Sequence, residues 1–316
     1  MEHLLVMHYE EKLDQSEYAQ VEQWISESDE NKKIYEETIF IWKNAKGLKN
    51  DECLNIELEW NKFSHTRNIL ENRHLVKMKN PTSKSYDIYS NSDFVKQYLE
   101  SIKDNPWNTY YERPSTLSLL PDIHNRRILD AGCGPGIVSR ELLNRGGIVT
   151  SVDFSPAMIE TAKNIVGNKA NVILLDLNSE LHMFNDNCFD VIYCSLTIHY
   201  INDLDLLFSE FFRIMSPRGI FIFSTDHPES PALTSNPVLR KRTQTVFWSG
   251  FNISLEIIQR PWNDILGSLR RSGFTIDKII NAKPTDECQI RFPEVYQDLK
   301  LNRHFICVRV VSKKAT

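Results

Sequence analysis

A strand, a glycine-rich loop and a helix start, all within RRILDAGCGPGIVSREL (126–142), constrain the fold of this chain more than any other feature. The apolar run ends in Asp130, and Gly132, Gly134 and Gly136 follow at alternate positions before the helical pattern begins. Glycines let a backbone turn tightly and approach a ligand closely, and a helix N-terminus offers free N–H groups. The segment predicts a ligand-binding edge.

The spacing of this loop separates two classes of ligand. A dinucleotide fingerprint reads G-x-G-x-x-G, but Ile137 or Ser139 occupies the position of its last glycine, counting from Gly132 or Gly134 respectively. The spacing in this chain, D-x-G-x-G-x-G, favours a ligand with an adenosyl sulfonium over a ligand with a pyrophosphate. For a glycine loop alone, a purely structural strand-to-helix turn is the alternative.

Two further acids follow the loop at strand ends. Asp153 ends a second apolar strand, where a carboxylate can accept hydrogen bonds from both hydroxyls of a ribose. Ser155 and Pro156 then begin a helix. Asp176 ends a third strand, where it can accept from an adenine amino group, with a solvated acid as the alternative. Apolar walls for the ligand are expected from Phe154, Met158 and Leu177.

Strand and helix patterns alternate from about residue 93 onward, which indicates a mostly parallel sheet covered on both faces. The predicted strands are Arg127–Ala131, Ile148–Asp153, Val172–Leu175, Phe189–Cys194, Gly219–Ser224, Thr275–Ile280 and His304–Val311. The predicted helices lie near 137–145, 156–165, 204–215 and 262–272. Together they predict an α/β, Rossmann-like fold with a seven-stranded sheet.

The first 75 residues predict a small all-α module instead. Asp14 with Glu17 resembles a capping box before one apolar stripe, Ser28 can cap a second helix, and Ile56, Trp60 and Phe63 form a third stripe. Residues 1–60 contain 15 acidic and 6 basic side chains, whereas the remainder of the chain has a net charge of +4. Polar residues 76–92 read as a linker, and 93–316 as the α/β domain.

Composition narrows the function further. A net charge of −5 disfavours a broad electrostatic grip on nucleic acid. No apolar stretch approaches the roughly 18 residues of a membrane span, so we expect a cytoplasmic protein. The cysteines show neither a C-x-x-C pair nor a histidine at zinc-ligand spacing, so we expect no metal; they lie at 53, 133, 188, 194, 288 and 307.

With these motifs, residues 86–312 resemble the class I S-adenosylmethionine-dependent methyltransferases. The resemblance implies S-adenosylmethionine as cofactor, with Asp130 near its amino group, Asp153 on its ribose and Asp176 on its adenine. Gly132 and Gly134 would allow close approach of the cofactor. The segment FDVIYCSLTIHYI resembles the fourth strand and following loop of the family, which implies that the backbone of Ser195 faces the amino-acid part of the cofactor.

Other segments resemble a subgroup that consists mostly of small-molecule methyltransferases. These are NPWNTYYERPSTLSLLP before the first strand, the late AKPTD and the final FICVRVVSK strand. The subgroup often has His-Arg-Pro where this chain has Gln259-Arg260-Pro261, so no catalytic role is transferred to position 259.

The N-terminal module is similar to the helical N-terminal region of FecR-type anti-sigma regulators. The similarity rests on SEYAQVEQWISESDENKKIYEETIFIW and LNIELEWNKF. The membrane span and periplasmic domain that follow in the FecR pattern do not follow here. A helical extension that uses its aromatic residues as core is the alternative interpretation.

Methyl transfer requires alignment above all, and it requires a base only when the nucleophile starts protonated. His199, after the fourth strand, and His227, after the fifth, are the candidate bases, with a packing role as the alternative. Residues 226–260 form a long insertion that we expect to be a substrate lid.

We therefore predict methyl transfer to a small-molecule acceptor, without nucleic acid or membrane as partner. Two alternatives remain: a regulatory protein that binds a partner or a second copy of itself through residues 1–75, and an RNA or protein methyltransferase.

Overall fold

The computed structural model of the chain describes residues 5, 8–9, 12–29, 31–32, 35–36, 39, 83–230, 240–248 and 250–314. The chain divides into two compact units, one of residues 1–76 with 182–185 and one of residues 77–181 with 186–316. Within the described ranges, no helix combines the length and the apolar character of a membrane span.

In the first unit, helix α1 (Gln15–Ser26) begins at the capping box that the sequence indicates. The side chain of Asp14 accepts from the backbone N–H groups of Ser16 and Glu17, and the carboxylate of Glu17 accepts from the N–H of Asp14. Val21, on the predicted stripe, is buried. The hydroxyl of Ser28 accepts from the N–H of Asn31 at 3.0 Å, as expected of a second cap. The third stripe lies outside the described residues.

The second unit begins with helices. Helix α2 (Ser83–Tyr89) precedes α3 (Ser92–Lys103), which Asn91 caps by accepting from two backbone N–H groups. One π-helical turn (Asn108–Glu112) runs directly into α4 (Arg113–Leu117). These elements reach the sheet edge at which the glycine loop lies, because the hydroxyl of Ser155 donates to the carbonyl of Tyr89.

Seven strands form one sheet in the order β3-β2-β1-β4-β5-β9-β8. All neighbours are parallel except β9, which is antiparallel to both β5 and β8. The strands are β1 (Arg127–Ala131), β2 (Ile148–Asp153), β3 (Asn171–Leu174), β4 (Phe189–Cys194), β5 (Met215–Asp226), β8 (Phe274–Asn281) and β9 (Phe305–Ser312). The remaining helices are α5 (Ile137–Asn144), α6 (Pro156–Val166), α7 (Leu204–Ile214), α8 (Trp262–Arg271), α9 (Asp286–Arg291) and α10 (Pro293–Leu301).

The strand order sets the position of a ligand crevice. From β1 the chain passes through α5 to β2 on one side, whereas β4 lies on the other side of β1. Because parallel crossovers are right-handed, α5 and α7 cover opposite faces of the sheet. The helices that follow β1 and β4 therefore lie on opposite faces of the sheet, and open α/β sheets bind ligands at such a switch point.

The core is built on alternate faces of β5. Phe221 and Phe223 point toward α7, where the ring of Phe211 lies 5.1 Å from that of Phe221, edge to face. Ile222 points to the opposite layer and packs in a cluster that includes Tyr111 and Tyr193. These side chains are fully buried, so the central strands are apolar on both faces.

This architecture confirms the predicted Rossmann-like, seven-stranded α/β fold, with strand bounds mostly within one or two residues of those expected. The largest difference is β5, which begins at Met215 rather than Gly219. Its extra residues include a register shift against β4, between Phe189 and Val191, which hides the strand pattern in the sequence.

Several elements were not predicted: α2, α3, α4, α9, α10, the π-helical turn and a hairpin within the expected lid. Residues 83–89, assigned to a linker, form α2, and the hydroxyl of Ser85 both accepts from the N–H of Glu256 and donates to its carbonyl. Within the expected lid, strands β6 (Arg242–Trp248) and β7 (Ile253–Gln259) form an antiparallel hairpin. Its inner side packs through Leu255 on the cluster of Tyr89 and Phe94.

We predict that Gly273→Ala destabilises the protein whereas Gly250→Ala does not. Gly273 has a φ of +93°, and an added Cβ would lie 2.7 Å from the ring of Phe212. Gly250 has open space at its Cβ position. Urea unfolding should show a loss of about 1–3 kcal/mol for Gly273→Ala and less than about 0.5 kcal/mol for Gly250→Ala. Equal losses for the two variants would contradict the role assigned to Gly273.

Candidate functional site

The glycine loop after β1 has open space beside Gly134 but none beside Gly132. A Cβ on Gly132 would lie 2.3 Å from the hydroxyl oxygen of Thr197, so the loop after β1 packs tightly on the loop after β4. A Cβ on Gly134 would meet nothing within 4 Å. Gly134 therefore borders open space at the switch point of the sheet, and its backbone is available to a ligand.

The carboxylate of Asp153 joins the loop after β1 to the start of α6. One oxygen accepts from the N–H of Gly134 and the other from the N–H of Ser155, each at 2.9 Å. Burial raises the pKa of Asp153 to about 6, although its backbone hydrogen bonds oppose the rise. The neighbouring charge of Asp176 raises this pKa as well, so these two predicted site residues lie near each other.

Asp130 lies below the loop and is deeply buried. One of its oxygens accepts from the hydroxyl of Ser139 at 2.6 Å, and that hydroxyl accepts from the hydroxyl of Ser151. Burial raises the pKa of Asp130 to about 7, and the charge of Asp153 contributes to the rise. The structure thus brings together the two acids that end β1 and β2.

A third buried acid, Glu112, was not among the predicted site residues. One oxygen of Glu112 accepts from the hydroxyls of Ser224, Thr116 and Ser195, at 2.5, 2.7 and 2.8 Å. The hydroxyl of Ser195, predicted to contribute only its backbone, thereby anchors the π-turn to the ends of β4 and β5. An acid and a hydroxyl residue spaced four apart, Glu112 and Thr116, were the sequence signal for this anchor.

The hydroxyl of Tyr193 is buried within the influence of two of these acids. Burial raises its pKa well above the ordinary value, and the charges of Glu112 and Asp130 raise it further. This hydroxyl has no hydrogen-bond partner among the residues that the structure describes. A buried polar atom without a partner indicates that a further group, water or ligand, contacts this position.

The three acids share an unusual charge environment. Asp130, Glu112 and Asp153 are 2%, 2% and 6% exposed, and none forms an ion pair within the described part of the chain. The charge of Arg113 lowers the pKa of Tyr193, but Arg113 forms no ion pair with the three acids in the described part of the chain. Buried carboxylates without a paired cation are costly. A positively charged ligand at this edge would lower that cost.

The predicted apolar walls divide into two groups. The ring of Phe154 packs on Tyr86 at 5.6 Å, and Leu177 is buried beside Asp176. Met158 is buried in the cluster of Tyr89 and Phe94, so it supports the wall from behind. One oxygen of Asp176 accepts two hydrogen bonds from Asn178, and the side chain is half-buried.

His199, one of the two candidate bases, lines a cavity. The cavity measures about 190 Å³ and lies at the ends of β4 and β5, with His199, Asp226 and Gln259 in its wall. Burial lowers the pKa of His199, and the charge of Arg260 lowers it too, whereas Asp226 opposes the change. The imidazole is therefore neutral near pH 7 and can accept a proton.

His227 is held in a turn instead. Its Nδ1 accepts from the N–H of Glu229 at 3.0 Å, its ring contacts the side chain of Asn281, and its backbone N–H donates to the carbonyl of His304. It is not among the residues that line the cavity. The structure therefore does not bring His227 to the site where we predicted a base, because the end of β5 turns its ring toward β8.

Comparisons with known proteins agree with this geometry. Residues 129–223 match the family described as a methyltransferase domain. An uncharacterized protein of Haemophilus influenzae is 33% identical over 149 residues, which are 45% of this chain and 58% of that protein. A malonyl-acyl-carrier protein O-methyltransferase of Legionella pneumophila is 33% identical over 122 residues, which are 38% of this chain and 42% of that protein.

Among solved structures, an S-adenosylmethionine dependent methyltransferase from Mesorhizobium loti is 26% identical, with a TM-score of 0.51 over 63% of this chain and 97% of that one. The chain spans between 37% and 58% of the length of the curated relatives. These findings support a methyltransferase domain over residues 129–223, with S-adenosylmethionine as its cofactor. The resemblance of the N-terminal module to FecR-type regulators stays a prediction.

We predict that Asp130→Asn changes how the stability of the unliganded protein depends on pH. A carboxyl whose pKa is about 7 when folded and near 4 when unfolded stabilises the protein at low pH, and this stabilisation is lost as pH rises toward 7. Asp130→Asn has no carboxyl to ionise at this position, so its stability does not fall for this reason as pH rises. Urea unfolding at pH 5 and pH 8 should show Asp130→Asn gaining about 1–3 kcal/mol relative to the unmutated protein on going to pH 8. If the free energies of unfolding of the two proteins differ by the same amount at pH 5 and pH 8, the raised pKa of Asp130 is contradicted.

Proposed function

We propose that the protein transfers the methyl group of S-adenosylmethionine to a small-molecule acceptor. The observation that carries this proposal is the set of three buried carboxylates, without paired cations, around an open glycine loop. S-adenosylmethionine carries positive charge on its sulfonium and on its amino group. The site therefore offers the charge, the open backbone at Gly134 and the strand-end acids that such a ligand requires.

Each residue of the site has a role in this proposal. Asp153 holds the ribose hydroxyls, since its carboxylate ends β2 beside the open space at Gly134 and can accept from a ligand as well as from the backbone. Asp130 and Glu112 place negative charge near the amino group, and the charges of both act on the hydroxyl of Tyr193. Asp176 accepts from the adenine amino group, and Phe154 and Leu177 flank the adenine. The loops at Gly132 and Ser195 hold the amino-acid part.

The bound cofactor supplies an activated methyl group on a sulfonium that leaves as a neutral thioether. The protein's residues align the acceptor and exclude water, and this positioning can account for up to about 7–11 kcal/mol of the barrier. His199 accepts the proton of an acceptor that starts protonated. Its lowered pKa keeps the ring unprotonated and ready at neutral pH.

The helical unit is proposed as a separate module that binds a protein partner or a second copy of the chain. Its acidic composition and the division of contacts near residue 76 support this proposal.

Calorimetric titration with S-adenosylmethionine tests the proposed function. We predict that Asp153→Ala weakens binding at least tenfold, about 1.4 kcal/mol, because the ribose hydroxyls lose a charged acceptor. Asp153→Asn, which keeps one acceptor oxygen, should lose less. Asp205→Ala is the matched control, since Asp205 is an exposed acid on α7 that pairs with Arg271 of α8.

The control should bind within about twofold of the unmutated protein, and thermal melting should show that all variants are folded. No binding of S-adenosylmethionine by the unmutated protein, or equal binding by Asp153→Ala, would rule the proposal out.

A further inference from the structure

The cavity at the ends of β4 and β5 has polar atoms that the fold leaves unused. Nδ1 of His199 and Nε2 of Gln259 are buried and have no hydrogen-bond partner among the described residues. The carboxylate of Asp226 also faces this cavity and accepts no hydrogen bond from that part of the chain. Three unpartnered polar groups in one cavity indicate a binding site.

The orientation of the Gln259 amide is fixed. Its carbonyl oxygen accepts from Nε of Arg242 at 2.8 Å, across the β6–β7 hairpin. The free atom is therefore the amide nitrogen, which only donates. The cavity thus offers one N–H donor, one neutral imidazole and one carboxylate acceptor. A ligand group that both donates and accepts, such as a hydroxyl, matches this set.

The charges of the cavity disfavour an anionic acceptor. Arg260 is the cation in the described part of its wall, but its two terminal nitrogens donate to the backbone carbonyls of 198, 201, 202 and 258. The charges of Asp203 and Asp264 also act on this guanidinium. A ligand carboxylate in the cavity would be repelled by the charge of Asp226, and the described part of the wall has no free cation with which it could pair.

Size and lining restrict the acceptor further. A volume of about 190 Å³ is somewhat larger than the roughly 150 Å³ cavity that holds a benzene molecule. The rest of the wall is mostly apolar and includes the side chains of Ile198, Ile258 and Trp262. Such a cavity fits one six-membered ring with a small substituent.

We propose that this cavity binds the methyl acceptor, and that the acceptor is an uncharged, single-ring hydroxyl compound of the phenol type rather than a carboxylate. The inference rests on the proposed function, since it names the acceptor for the same site. An aromatic amine fits less well, because its nitrogen is a poor acceptor for the N–H of Gln259.

In the reaction, the hydroxyl oxygen forms a new bond to the methyl carbon while the carbon–sulfur bond breaks. The electron pair of the broken bond stays on sulfur. The hydroxyl proton passes to a ring nitrogen of His199. Asp226 acts as a positioning residue, because its charge stabilises the imidazolium that results. Atoms and charge balance without a metal or a redox partner.

Ligand-detected NMR with the full chain saturated with S-adenosylhomocysteine tests this inference, using phenol, aniline and benzoate as probes of equal ring size. We predict that phenol binds at least tenfold more tightly than benzoate and more tightly than aniline. Asp226→Asn should raise benzoate affinity at least fivefold by removing the repelling charge. Gln259→Glu keeps an acceptor for Arg242 but loses the free N–H, so it should weaken phenol binding at least fivefold.

Asp205→Asn is the matched control, because it removes the same charge from an exposed position outside the cavity. It should leave the ratio of phenol to benzoate affinity unchanged within about twofold. Benzoate or aniline binding as tightly as phenol, or no phenol binding by the loaded protein, would overturn the inference and leave the proposed function standing. Failure of S-adenosylhomocysteine to bind would count against the proposed function instead.

Discussion

Burial of Asp130, Glu112 and Asp153 at one edge of the sheet is the constraint on which the rest of the site depends. The hydrogen bonds of these carboxylates come from backbone N–H groups and hydroxyls, not from cations. Such bonds fix the geometry of the loops after β1, β2 and β4 but do not neutralise the charge. In the proposed function, a bound cationic ligand offsets the free-energy cost of burying these acids, so the site is organised before its ligand arrives.

A second set of hydrogen bonds connects the proposed cofactor side of the site to the proposed acceptor side. Ser155 begins α6 beside Asp153, and its hydroxyl donates to the carbonyl of Tyr89. The hydroxyl of Tyr89 shares a hydrogen bond with that of Tyr200, next to His199. Arg260 then donates to backbone carbonyls on both sides of His199, at Ile198, Ile201 and Asn202. Helix α2 is therefore next to the site and not part of a linker, and the segment predicted as a lid contributes Gln259 of the β6–β7 hairpin to the cavity wall.

The sequence predicted those features that depend on local pattern. Apolar runs identified the seven strands, and Asp153 was assigned from its place at a strand end beyond a glycine loop. Features that depend on distant partners were missed: Glu112 is defined by hydroxyls about 80 to 110 residues away, at Ser195 and Ser224. His227 was placed correctly along the chain, but the direction of its ring depends on Asn281, which no local pattern reveals.

The most direct test of the central claim is whether binding of S-adenosylmethionine releases protons. Burial holds the pKa of Asp130 at about 7 and that of Asp153 at about 6, so both are partly protonated near pH 6.5. A cation bound beside them favours the ionised forms. Calorimetric titrations at pH 6.5, in two buffers of different ionisation enthalpy, should show net proton release that is reduced in Asp130→Asn. Proton uptake, or binding with no proton exchange, would contradict a site built from buried carboxylates for a positively charged ligand.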